Sequence, residues 1–525
     1  MNLEKKRGKL RCRTGSGLLG LALWTGLAAA QVEPASSSEK ILDGSAPLVM
    51  TPGAFSQLIV KRNAEVASGL VGVNINFNLM SAEAALYEPV AFSTLSHQRN
   101  YRRNTVEEQI VNSSLPILDE NVDALDLGVK SQLPTGGNVK FDYQMVKRSS
   151  NVIEFQSQGL VNSEYTGYLG LTFEQPLGRN AGQAVTETQR RSAEFDYLIA
   201  KERFKQQVFK SLTSSIDAYW QLYKFQRVEA LRKDSLEQAQ QLLETTRQRI
   251  AAGRTAASSQ LEVQSLVLVR EIDYARARQA TKDMSGSLMN LLNLTRNSGR
   301  QLTLVPESEI ADAFVDRVAL QNIAEEDLLS RWPSFQVVDL EKSQARVKSD
   351  YYLNQTKPLV GLVVSYQSTA FAYDQRDISP QISQHAYPVL SVGLNIEEPL
   401  RGNQKEHYLY RAQEGRLTQL DIEMEAIRTS HHNDFVSSEE QLNTTRDIVR
   451  QCRTEVDMRQ RLFDGEVDRF KMGGVPFASL TQKWSDLIES KVRCVDNESH
   501  LEYTKFLYLY FRDVALEAYN IHLEN

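Results

Sequence analysis

Two periods of hydrophobic patterning share this chain. In Val139-Lys140-Phe141-Asp142-Tyr143-Gln144-Met145 apolar and polar residues alternate strictly, which predicts a strand with one apolar and one wet face. Val360, Leu362, Val364 and Tyr366 repeat the alternation, as do Leu390, Val392, Leu394 and Ile396. The other period is helical. Pro176 to Gly253 and Pro399 to Gly473 are long, polar and free of internal proline. In the second, Val449, Cys452, Val456, Arg459, Phe463, Val467 and Phe470 recur every three or four residues. Beyond Gly473, Leu480, Trp484, Leu487, Lys491, Cys494, Glu498 and Leu501 do the same. This predicts two antiparallel helices sharing a seam that Arg459, Lys491 and Glu498 interrupt. Helices of such length outgrow a globular core and need partners along their flanks.

The pattern is also repeated. Leu169-Gly170-Leu171-Thr172-Phe173-Glu174-Gln175-Pro176-Leu177 returns as Val392-Gly393-Leu394-Asn395-Ile396-Glu397-Glu398-Pro399-Leu400, and Arg249-Ile250-Ala251-Ala252-Gly253 as Arg469-Phe470-Lys471-Met472-Gly473. Ala64 to Pro89 matches Pro333 to Pro358 in length. The expected organisation is therefore a first repeat over 54–300, a connecting segment over 301–331 and a second repeat over 332–525. Each repeat reads as helix, strands and a long helical hairpin, with tips near 253 and 473. The first has an insertion: Pro89 to Pro176 is more than twice as long as Pro358 to Pro399.

Residues 1–30 carry the marks of a secretory signal peptide: a basic start (Lys5, Lys6, Arg7, Lys9, Arg11, Arg13), an apolar run from Leu18 to Leu27, and Ala28-Ala29-Ala30. Residues 31–53 read as a flexible arm. The formal net charge is −6, which argues against a nucleic-acid binder. No later run is apolar enough to span a bilayer as a helix. An alternating strand fits a half-buried soluble sheet or a membrane barrel, and alternation alone favours the soluble sheet.

The signal peptide, two repeats, Glu-x-Pro-Leu closing a strand in the second with Glu-Gln-Pro-Leu in the first, Ala218-Tyr219-Trp220 in the first long helix, and Arg-x-x-x-Gly at both helix breaks together resemble the TolC-like outer-membrane efflux channels. The resemblance implies an α+β membrane protein: a homotrimer with a transmembrane β-barrel, continued by a long α-helical coiled-coil tunnel through the periplasm. It implies passive export, with docking to a periplasmic adaptor (a membrane fusion protein) and an inner-membrane transporter. The docking tips would comprise Arg249, Gly253, Arg254, Arg469, Gly473, Gly474 and Val475, and Phe470 and Gln482 the entrance constriction. Matching gate positions read Phe470, Val475, Ser479 and Gln482, so the charges of a salt-bridged gate are missing. The competing expectation is a periplasmic coiled-coil adaptor without a pore.

No nucleophile elbow, zinc-protease helix, phosphate loop or dinucleotide fingerprint is present, so no catalytic residue, metal or cofactor is expected. His431 and His432 fall about 100° apart on a helix and read as a solvated pair. Cys452 and Cys494 are equidistant from Gly473, which puts them at one height in an antiparallel hairpin. Cys494 shares its heptad position with Leu480 and Leu487, whereas Cys452 shares its own with Arg459 and Glu466; a disulfide and two free thiols both stay open. In the insertion, Leu127, Val129 and Leu133 share a phase, and Pro134-Thr135-Gly136-Gly137 supplies a tight turn. Stretches 98–123 and 148–164 would be outer loops, with the turn on the inner side. Each chain would then give six strands rather than four, unless the insertion folds over the barrel's outside.

Overall fold

The computed structural model describes residues 48–111, 114–253, 257–294, 302–304, 312–319, 325–519 and 521. The signal peptide and most of the arm lie outside these residues. From the arm, Leu48–Met50 (β1) pairs in parallel with Leu302–Leu304 (β6), so this part of the arm is a strand. Helix α1, Pro52–Arg62, begins where Thr51 accepts a hydrogen bond from the Ala54 amide and proline takes the first turn. Asn63 ends α1 and caps α2, Ala64–Ala84, through the amides of Glu65 and Val66. Its side-chain amide also donates to the Leu291 carbonyl at 3.1 Å, tying the start of the fold to the far end of the first hairpin.

The strands follow: β2 Val90–Arg103, β3 Ile117–Gln132, β4 Asn138–Ser150 and β5 Glu164–Pro176, with short helices α3 Val106–Val111 and α4 Asn151–Gln156 between them. After α5, Gln183–Thr186, comes α6, Thr188–Ala251, and its return arm α7, Ser258–Leu291. Helices α8 (Asp312–Ala319) and α9 (Glu325–Arg331) lie in the connecting segment. The chain then runs α10 Pro333–Gln355, β7 Leu359–Ala372, α11 Ile378–Ser383, β8 Tyr387–Glu397, α12 Gln404–Lys471, α13 Phe477–Tyr510 and α14 Ala515–Ala518. The 64 residues of α6 and 68 of α12 give rods of roughly 100 Å.

One antiparallel sheet of six strands has the order β2-β3-β4-β5-β7-β8. Its β3–β4 turn is closed by Leu133 N–H to Gly137 O at 2.7 Å and Gly136 N–H to Leu133 O at 2.9 Å. Gly136 has φ 88°, and a Cβ there would stand 2.3 Å from the Asn180 carbonyl oxygen. The turn also receives the Gly182 amide on the Thr135 carbonyl, which fixes it at the helical end of the sheet. At the opposite end β2 and β3 remain paired from Val90↔Lys130 to Arg103↔Ile117. The connections there are 104–116 and 151–163, shorter than the expected loops at 98–123 and 148–164. The reason is polar: Arg99 grips Asp119 with two hydrogen bonds of 3.1 and 3.0 Å, His97 meets Asp123 at 2.6 Å, and Asn100 donates to Glu120 at 2.9 Å. A ladder polar on both faces loses the alternation that marks a strand.

The main core sits part-way along the helices, where α1, α6, α7 and α13 meet. Phe55, Tyr219, Leu212, Ile216, Leu222, Leu288, Phe506 and Tyr508 are buried there. Tyr219 contacts the Phe55 ring at 5.6 Å and the Trp220 ring at 5.3 Å. Burial of this aromatic block, worth about 1.5–3 kcal/mol per side chain, holds the two hairpins together part-way along their length.

Candidate functional site

The sheet has two chemically distinct faces. Directly opposed residues share a face, so Leu127, Tyr143 and Leu169 lie in one row and Val129, Phe141, Leu171, Tyr366 and Leu390 in the next. This face continues outward to Leu95 on β2 and to Val392, Leu394 and Ile396 on β8, and much of it is bare: Leu95 is 79% exposed and Leu390 69%. Near the end remote from the helices, α11 lies over part of it, with Ile378 and Ile382 packed among Tyr143, Tyr165 and Leu169.

The opposite face carries the polar rows Asp126, Gln144, Tyr168, Thr369 and Lys130, Lys140, Thr172, Ser365, Ser391. At its middle, Asp142 accepts from Lys140 at 2.9 Å and from the Tyr168 hydroxyl at 2.9 Å. Lys140 also stands 5.1 Å from the Phe92 ring centroid. Asp142 is therefore buried yet ion-paired, both bonds falling on its Oδ2, as a buried charge requires. Strands β2 and β8 end the sheet, and among the described residues each leaves one row of backbone groups without a strand partner.

At the far end of the helices lie the two tips. Helix α12 closes in a Schellman arrangement: Gly473 N–H to Phe470 O at 3.0 Å and Gly474 N–H to Arg469 O at 2.9 Å, with Gly473 at φ 78°. In α6, Gly253 has φ 67° and donates to Ile250 O at 2.9 Å. Arg249 is half-buried in the last turn of α6; Arg254 lies outside the described residues. Arg469 meets Glu466 at 3.3 Å, and Ser479 on α13 also donates to Glu466, so this carboxylate staples the tip although its charge suggests a surface position. Val475 is half-buried. Phe470 packs on Phe477, centroids 6.2 Å apart, while the exposed Gln482 bonds Asp486 on its own helix at 2.8 Å. Thus the two residues expected at a constriction have separate partners within one chain.

Above the tip the hairpin is covalently joined. Cys452 and Cys494 form a disulfide, their Cα atoms 5.4 Å apart. Two of the three seam interruptions stand in ion pairs at its edge: Arg459 bonds Glu455 at 2.7 Å and approaches Asp486 at 3.5 Å, and Arg453 holds Glu498 at 2.8 Å.

Two features escaped the sequence. Arg270 on α7 is buried, with its guanidinium 5.5 Å from the Trp484 ring centroid on α13 and a 2.9 Å hydrogen bond to Ser485. Burial lowers its pKa, opposed by Asp273. It clamps the first hairpin to the second; only its place beside Val267, three residues earlier on the same helical face, hinted at this. His431 also departs from expectation. His432 is exposed and reaches Glu325 at 3.0 Å, whereas His431 is only 3% exposed and lies between Trp332 and Phe435.

Among the described residues there is no group of three or more His, Cys, Asp or Glu arranged to hold a metal, and no helix is long and apolar enough to cross a membrane. No family model matches the chain, and no curated protein matches it. Solved structures do. The outer-membrane channel OprN is 14% identical at TM-score 0.64, the match covering 88% of this chain and 89% of OprN. The CmeC outer-membrane channel of Campylobacter jejuni is 9% identical at TM-score 0.63, covering 90% of each chain. The outer-membrane protein VceC of Vibrio cholerae is 12% identical at TM-score 0.60, covering 90% of this chain and 97% of VceC. The likeness establishes the fold: this chain has the TolC-like fold, a large helical domain joined to an antiparallel sheet whose two edges are open among the described residues.

Proposed function

We propose that the protein is the outer-membrane channel of an export system, a passive conduit that spans the outer membrane as a trimeric barrel and the periplasm as a helical tunnel. The observation that carries this reading is the two-faced sheet with both edges open, joined directly to rods of roughly 100 Å. An apolar face suits lipid, a polar face suits a water-filled lumen, and closed barrels leave no backbone group unpaired in the bilayer. The two repeats, 54–300 and 332–525, each supply one helical hairpin to the tunnel wall. The tips around Gly253 and Gly473, with Arg249, Arg254, Arg469, Gly474 and Val475, meet a periplasmic adaptor, and the inner-membrane transporter it serves provides the energy. Phe470 and Gln482 line the tunnel entrance. No step of covalent chemistry is assigned to the chain, and no cofactor.

Fractionation tests this against the adaptor alternative. A channel stays with the outer membrane after a high-salt wash and gives ion conductance when reconstituted in a planar bilayer. A protein released by the wash, without conductance, is an adaptor instead. The extended apolar face of the sheet favours the channel.

A further inference from the structure

We infer that the assembled barrel has eighteen strands, six from each of three chains, and that it closes by pairing β8 of one copy with β2 of the next. This rests on the channel reading. The sheet is continuous: β3 and β4 are hydrogen-bonded along Glu120↔Ser150 to Gln132↔Asn138, and β4 and β5 along Asn138↔Glu174 to Arg148↔Glu164. The inserted hairpin is thus an integral part of the wall and does not lie over it. Its polar residues agree. Asp126, Lys140 and Asp142 stand in the same rows as Tyr168, Gln367 and Ser365 of β5 and β7, so the insertion extends the lumenal surface.

The occupant of each open edge is a second copy of this chain. Strand β2 leaves the helical end and β8 returns to it, so the two edges run antiparallel and complement each other head to tail. Such a heterologous contact propagates into a ring. Backbone groups left open in a bilayer have no water to bond and are costly, and no described segment covers either edge. The faces also fix the parity of the joint. Apolar residues are even-numbered on β8 (Leu390, Val392, Leu394, Ile396), whereas on β2 the row of Ala91, Ser93 and Leu95 is odd-numbered. Keeping the apolar face continuous therefore opposes even β8 residues to odd β2 residues, and odd β8 residues such as Ser391 to even ones such as Thr94. A one-residue slip would turn one copy's apolar row into the lumen.

The width follows. At ~4.8 Å between strands and a tilt of ~40°, eighteen strands close at a backbone diameter of roughly 36 Å, against roughly 24 Å for twelve.

Paired cysteines in the full chain test the joint. Ser391→Cys is combined in turn with Phe92→Cys, Thr94→Cys, Ser96→Cys or Gln98→Cys, oxidised in outer-membrane vesicles and run on denaturing gels without reductant. The expected result, for at least one pair, is conversion of monomer into a ladder ending at trimer, reversed by reductant. Pairs of the wrong parity, Ser391→Cys with Ser93→Cys or Leu95→Cys, stay monomeric. A link from Ser391→Cys to Gln144→Cys on β4 would overturn the proposal in favour of twelve strands, and so would a ladder ending at dimer. Conductance of each variant is recorded in parallel. Conductance without any β8–β2 link refutes only the eighteen-strand barrel, whereas loss of membrane retention together with absence of conductance in the unmodified protein refutes the channel itself.

Discussion

The Trp332 ring meets the His431 imidazole edge-on, with centroids 4.9 Å apart, at the point where α10 begins beside α12. Phe435 stacks on the other side at 6.4 Å, and both imidazole nitrogens are buried without a hydrogen-bond partner. An imidazolium in that site would be a charge without solvation.

The pH dependence has a definite sign. Burial lowers the His431 pKa, against the pull of Glu325 and Asp434 and with a small push from His432. In the unfolded chain the ring takes up a proton near pH ~6.5. The unfolded state thus binds more protons as pH falls through that value, and stability is lost below it. Melting temperature should decline between about pH 7 and 5 and decline less in His431→Phe, which keeps the aromatic contacts. Equal pH slopes in both proteins would exclude His431 as the source.

The disulfide gives a chemical readout. Unfolded, unreduced protein should show no alkylatable thiol from Cys452 or Cys494, and two after reduction. Closing this loop contributes about 2–4 kcal/mol, so Cys452→Ser/Cys494→Ser should lower the melting temperature. It should also speed amide exchange along α12 and α13 more than along α6 and α7.

At the tip, Gly473→Val places a β-branched residue at φ 78°, in the left-handed region that costs an L-residue about 1–2 kcal/mol. Export should fall while trimers still form, as judged by native mass and an efflux assay side by side. Trimer loss with normal export would contradict the docking role.

In the sheet, Gly136→Ala drives a Cβ to within 2.3 Å of the Asn180 carbonyl oxygen. The β3–β4 turn must then shift away from the helical end, and the yield of membrane-inserted trimer should drop severalfold. Gly361→Ala, with no atom within 4 Å of its Cβ, should assemble normally. Quantifying trimer by gel in both variants checks the contrast.

How much was legible depended on whether one face was apolar. Val139–Met145 could be read as a strand because every second residue is greasy, and the hairpin seam because Leu480, Trp484 and Leu487 recur at helical spacing. Where both faces are polar, at Arg99 with Asp119, alternation fails though the ladder continues. Buried charges were harder. Glu466, two heptads from Cys452, reads as an outward position, yet it turns inward because Ser479 and Arg469 meet it there. Arg270 and His431 were hidden for the related reason that their partners, Trp484 and Trp332, come from distant segments. The tip residues were named through resemblance, and their docking role awaits the variants above.

The join between β5 and β7 has a consequence for how the molecule is made. Strands β2 to β5 follow one another by short connections and can zip as they emerge. Tyr165↔Ala372 through Pro176↔Gly361, by contrast, must wait until an entire helical hairpin and the connecting segment have been synthesised. The entropy of closing so long an excursion grows slowly with its length, but contacts of high sequence separation are slow to form. Until they do, each chain presents an incomplete, half-greasy sheet to its surroundings. Assembly therefore has an obligatory order, with a vulnerable interval in which protection from aggregation, rather than final stability, decides the yield.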